Sequence, residues 1–314
     1  MITYEDRRLR TLADQGRWAE VLGRFRRARA AGRVREAGQF GHLLAYGAPP
    51  ELAARLFDRE GAPGGTADVD DHDAGPLWEV LATRHSWRRL ALQLGPAPVR
   101  RLVLHTRALL GEDLRHGAEP DEEGVPLALE PWEAAGWDER GRVREYLRTG
   151  GARRALHSLP AGREGLGPLD LPDRGATVPG LAATRLLDGY APWARAVCVR
   201  GTAPDAVAHL TPARRITGGY LPFGQAYPGL VQAASDTPDA GSAQGRLAVW
   251  RVLAAMTGER VVLLPEVRAL VARLRCFTWS EPGDELHYLH VAVEDPATGL
   301  AWALSGNTPE PGWI

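Results

Sequence analysis

The segment 287–305, HYLHVAVEDPATGLAWALS, constrains the fold more tightly than any other part of the chain. Leu289, Val291 and Val293 alternate with small or polar residues, and Leu300, Trp302 and Leu304 do the same on the return. Between them, Asp295-Pro-Ala-Thr-Gly299 reads as a type I turn closed by a glycine bulge. The pattern predicts an antiparallel hairpin with one strongly apolar face, and such a face needs a second layer to cover it. His290 falls on the opposite face, with Ala292 and Glu294. His287 and His290, three apart in a strand, point to opposite faces and make a poor metal pair.

The covering layer is legible upstream. WARAVCVRG, 193–201, reads as a strand, with Val197 and Val199 facing one way. Thr202 and Asp205 have capping-box spacing, so a helix follows it. Helices over 242–257 and 265–274 and a strand at RCFTW complete an α+β domain over 191–314.

Residues 1–116 instead carry a helical period. Thr3 and Asp6 have capping-box spacing, and Trp18, Val21, Leu22 and Phe25 recur at helical intervals. GAPPELAARLF, GPLWEVLATRHSWRRLALQLG and APVRRLVLHTRALLGEDL continue the pattern between Gly/Pro turns. GRWAEVLGRF resembles the first helix of a tetratricopeptide repeat, and WEVLA at 78–82 echoes WAEVL at 18–22. No fixed period emerges, so the expectation is irregular helical hairpins, HEAT- or TPR-like at most. Residues 117–190 read as an ordered Gly/Pro-rich connector with a short helix near 138–158, anchored by Leu127, Leu129, Trp132 and Trp137.

Composition removes several kinds of chemistry. All 38 basic side chains are arginine, asparagine occurs once, and isoleucine stands only at positions 2, 216 and 314. That bias is what a GC-rich bacterial genome produces. Without lysine, Schiff-base, P-loop and kinase-type catalysis have no agent. A net charge of −1 gives no general drive toward nucleic acid or an anionic membrane. No signal-peptide core or long apolar run is present, so a cytoplasmic location is expected. Cys198 and Cys276 form no CxxC and are expected as reduced core thiols. Asp68, Asp70, Asp71, His72 and Asp73 cluster, but no register supplies the glycine and closing glutamate of a calcium loop. Neither metal nor cofactor is expected.

One stretch stands out as a candidate site: GSAQGRLAVWRVLAAMTG, 241–258. It is neither GxGxxG nor a Walker loop, yet a helix N-terminus binds anions through its free N–H groups. Ser242 is read as the N-cap. Arg246 lies on the apolar arc with Val249, Trp250 and Leu253, whereas Arg251 lies on the outer arc. A cation there must snorkel, pair with a carboxylate (Glu294 or Glu285 being candidates) or hold a ligand. The candidate ligand-binding set is therefore Ser242, Arg246, Trp250, His290 and Glu294. No GxSxG elbow, HExxH or local Cys–His signature appears. Two functions stay open: an interaction or ligand-binding protein without catalysis, engaging a protein or small molecule, or an enzyme with an anion-recognising cleft around Ser242, Arg246 and the hairpin.

VPLALEPWEAAGW, GRLAVWRVLAAMTG and LHVAVEDPATGLAWAL together resemble a family of uncharacterised proteins from high-GC actinobacteria, classed as a domain of unknown function. The resemblance spans the middle and C-terminal thirds. It implies that these regions occur together, and no activity, cofactor or catalytic residue.

Overall fold

The computed structural model describes residues 11–58, 76–95, 98–137, 165–191, 193–235, 241–281 and 288–307. The capping box at Thr3, the acidic cluster Asp68–Asp73, the helix expected near 138–158, Glu285 and His287 lie outside these residues.

The fold is α+β. Its N-terminal unit opens with a helical hairpin, α1 (Trp18–Ala30) and α2 (Val34–Gly47), turned by Gly32 at φ +67°. Val21, Leu22, Phe25 and Ala28 fill the inner side of α1. The short helix α3 (Pro50–Ala53) and a 3-10 turn over Ala54–Phe57 follow. Next come α4 (Leu77–Arg84), α5 (Trp87–Leu90) and α6 (Val99–Leu109). The 76–95 segment breaks because His85 and Ser86 adopt extended backbone. Leu44, Leu56, Leu81, Leu90 and Val103 share one apolar core across these helices.

The C-terminal unit is a six-stranded, wholly antiparallel sheet of order β1-β3-β4-β5-β6-β2. Its strands are β1 (Gly167–Asp170), β2 (Ala194–Arg200), β3 (Arg215–Leu221), β4 (Arg275–Ser280), β5 (Tyr288–Asp295) and β6 (Leu300–Asn307). The expected hairpin forms, with Val291 opposite Leu304 and Val293 opposite Trp302. Gly299, at φ +64°, closes its turn, and the N–H groups of Thr298 and Gly299 donate to the Asp295 carbonyl.

Helices cover both faces. Leu289, Val291, Val293, Trp302 and Leu304 pack against helices Phe223–Ala233, Ser242–Met256 and Leu264–Arg273. On the other face, Val199, Phe277, Ala292 and Ala303 pack against Ala203–Leu210. Numbered in chain order, Pro131–Ala134 is α7, Ala182–Asp188 is α8, and these four helices are α10, α11, α12 and α9 respectively. The Thr202–Asp205 capping box opens α9 as its spacing predicts.

Two features depart from the expected boundaries. β1 and α8 lie within the stretch read as connector, so the sheet unit begins at Gly167. The segment 121–137 threads between both units: Leu127 joins the helical core, while Val125 and Trp137 join the sheet core. Cys198 and Cys276 are buried, unpaired thiols, pushed up by burial to about 11 and about 12. Among the described residues, no helix is long and apolar enough to cross a membrane.

Candidate functional site

The helix at the centre of the candidate site, α11, is set by its packing. Its N-cap is Gly241, with Ser242 the first helical residue, so the helix starts one position earlier than the reading of Ser242 as N-cap. A side chain at Gly241 would collide with the Trp78 ring, and one at Gly245 with the Val231 carbonyl. The two glycines therefore admit neighbouring helices rather than a phosphate. The free N–H of Ser242 donates instead to Glu79 Oε1 at 3.0 Å. Glu79 comes from α4 and is 8% exposed. This helix N-terminus does hold an anion, supplied by the protein's own helical unit.

Arg246 is completely buried, and so is its partner Glu133 on α7. Its Nε and Nη2 donate to the two Glu133 oxygens at 2.8 and 2.9 Å. Nη1 donates to His105 Nδ1 at 2.7 Å and to the Pro126 carbonyl at 2.8 Å. Nη2 also donates to the Ala128 carbonyl at 3.1 Å. A guanidinium has five N–H groups, and all five are placed. Glu133 is equally saturated, accepting also from Tyr227 Oη at 2.6 Å, Trp250 Nε1 at 3.0 Å and the Glu130 N–H at 3.0 Å. Burial alone would raise its carboxyl; the Arg246 charge and these donors hold it below the usual range instead.

The network continues outward. Because Arg246 only donates, His105 Nδ1 must be the bare nitrogen, and Nε2–H donates to Asp121 Oδ2 at 3.0 Å. Burial, with Arg246 and Arg101 nearby, pushes this imidazole down to about 4 despite the Asp121 bond. Asp121 is buried, which would raise it, yet bonds from His105 and Arg101 hold it far below the carboxylate range. Arg101 binds it through Nε at 2.6 Å and Nη2 at 3.0 Å, and reaches Glu123 through Nη1 at 3.0 Å. Glu123 then pairs with Arg251 at the exposed edge of α11. The chain Glu133–Arg246–His105–Asp121–Arg101 thus links α6, the 121–134 segment and α11.

The five residues singled out by sequence do not converge. Ser242, Arg246 and Trp250 sit at this junction, buried and facing protein partners. His290 and Glu294 lie on the far side of the sheet, where Glu294 meets the start of α9. His290 stacks on Trp279 at 4.9 Å, and its Nδ1 meets Ser305 Oγ at 2.9 Å. Glu294 accepts the Ala203 N–H at 2.6 Å and Tyr220 Oη at 3.1 Å, and pairs with Arg275 at 2.7 Å. The carboxylate serving Arg246 is Glu133, not Glu294. Glu79, His105, Asp121 and Glu133 were all missed; the one sequence signal was Pro131 between Glu130 and Glu133, a helix start with a capping box.

Elsewhere, an apolar cavity of about 40 Å³ lies between the sheet and helices α10 and α11, beside Trp302. It is far smaller than the roughly 300 Å³ at which small-molecule pockets begin. Among the described residues, no group of three or more His, Cys, Asp or Glu is placed to hold a metal. Compared with known proteins, the chain matches no family model, no curated protein and no solved structure.

Proposed function

We propose that this protein acts by binding a partner at its surface, without catalysis at the Ser242–Arg246 stretch. One observation carries the reading: every N–H of Arg246, the residue best suited to grip an anionic substrate, is held by a protein acceptor. Ser242 and Arg246 then serve to join two units, and the irregular helical stack offers the kind of surface on which such folds bind partners. A cytoplasmic setting accords with two buried thiols that remain unpaired.

Affinity capture from the source cells, with wild type and Arg246→Met compared at a temperature where both are folded, tests this reading. The expected result is the same partner with both proteins. A substrate whose turnover disappears in folded Arg246→Met would overturn it.

A further inference from the structure

The junction between the two units contains a titratable group whose neutral form the geometry requires. His105 Nδ1 accepts from Arg246 Nη1 at 2.7 Å, so this nitrogen has no room for a proton. The groups around it admit no alternative. Arg101 lies on its own helix, Asp121 and Glu123 come from the 121–134 segment, and Arg246 comes from α11, with Glu133 and Tyr227 behind it. The two nearest cations, Arg246 and Arg101, oppose a positive imidazole, and the Arg246 guanidinium has no spare acceptor to receive its N–H.

We propose that His105 is an acid-released latch: a proton from solvent on its Nδ1 disconnects α6 from α11 and loosens the helical unit from the sheet unit. Most of each apolar core stays within its own unit when this happens, Leu44, Leu81 and Val103 in one cluster and Trp250, Val291 and Trp302 in the other. Leu109 of α6 and Ala243 of α11 are residues of the latch elements that cross between them. The parts that lose order are those meeting at the latch, namely α6, the 121–134 segment and the first turns of α11. The hairpin, with its apolar face under α10 and α11, retains its hydrogen bonds.

The size of the effect follows from linkage. A histidine of ordinary value 6.5 in the opened state and about 4 in the closed state favours opening about twentyfold more at pH 5 than at pH 7. His85, a second buried histidine with a lowered value, belongs to the helical unit alone, where α4 ends. Its protonation would open 77–90, a different signature.

Hydrogen exchange of the whole chain from pH 7 to pH 4.5, corrected for intrinsic rates, tests the latch. The expected result is a rise in opening of about twentyfold by pH 5 across 99–109, 121–134 and 242–250, with 288–304 still protected. In His105→Gln that dependence flattens. Simultaneous loss of protection in junction and hairpin, opening that begins at 77–90, or an unchanged pH profile in His105→Gln would overturn the proposal. Where His105→Gln fails to fold, the wild-type imidazole is followed by NMR. Titration of His105 together with the opening supports the latch, and titration near pH 6.5 without any opening contradicts it.

Discussion

Arg246 and Arg251 stand five residues apart on one helix, and each makes a two-pronged pair with a glutamate from the same 121–134 segment. The geometry is closely matched: 2.8 and 2.9 Å for Arg246 with Glu133, 2.7 and 2.6 Å for Arg251 with Glu123. Exposure separates them. Side-chain accessibility is 0% for both members of the first pair, against 44% and 26% for the second. In water, charges attract weakly and solvent replaces a lost partner; in a dry junction, a lost partner leaves an unpaired charge. Distance alone therefore does not rank ion pairs.

The largest effect expected from this contrast is at Glu133. Glu133→Ala strands Arg246 and removes the acceptor of Tyr227 and Trp250, so it should cost about 3–5 kcal/mol in denaturant unfolding. A loss below about 1 kcal/mol would mean that water reaches the pair and that the contrast with Glu123 is false.

Acid should erode the buried side next. The His105 value is lowered on folding, so its contribution is fully present above pH 6.5 and is lost as pH falls toward 4. The unfolded chain binds the extra proton in that window, which corresponds to about 3 kcal/mol. Stability measured from pH 7 to pH 4 should fall accordingly and flatten in His105→Gln. Asp121, held low, adds a loss of the same sign at still lower pH.

Glu79→Gln sharpens the comparison from the other end of α11. The amide can still accept from the Ser242 N–H, but the charge facing the helix dipole is gone, so about 1 kcal/mol should be lost. Smallest of all, Arg251→Ala should cost no more than about 1 kcal/mol and less in high salt. A salt-independent loss above 2 kcal/mol would show that the outer pair is also sheltered.

How much of this was legible in the chain depended on distance along it. Local patterns were readable: alternation through Leu289–Val293 and Leu300–Leu304, the Thr202–Asp205 capping box, and the helical wheel that set Arg246 apart from Arg251. Partners were not. Glu133 is 113 residues from Arg246 and His105 is 141, and neither carries a periodic signal. Glu133 lies in a Pro/Gly-rich segment that reads as linker, where only Pro131 hinted at a helix. β3, RITGGYL, was hidden by two glycines that weaken a strand pattern, and α10 by the internal Pro228. Gly241 and Gly245 framed a helix N-terminus that could be read as an anion site, but close packing against Trp78 and the Val231 carbonyl is what asks for glycine there.

The most direct measurement is a double-mutant cycle on Arg246 and Glu133, followed by denaturant unfolding at pH 7. If the pair is a buried structural tie, Arg246→Met and Glu133→Leu should each cost about 3–5 kcal/mol, and the double variant much less than their sum. Two nearly neutral single variants whose effects simply add would contradict that account and return Arg246 to the list of groups free to hold a ligand.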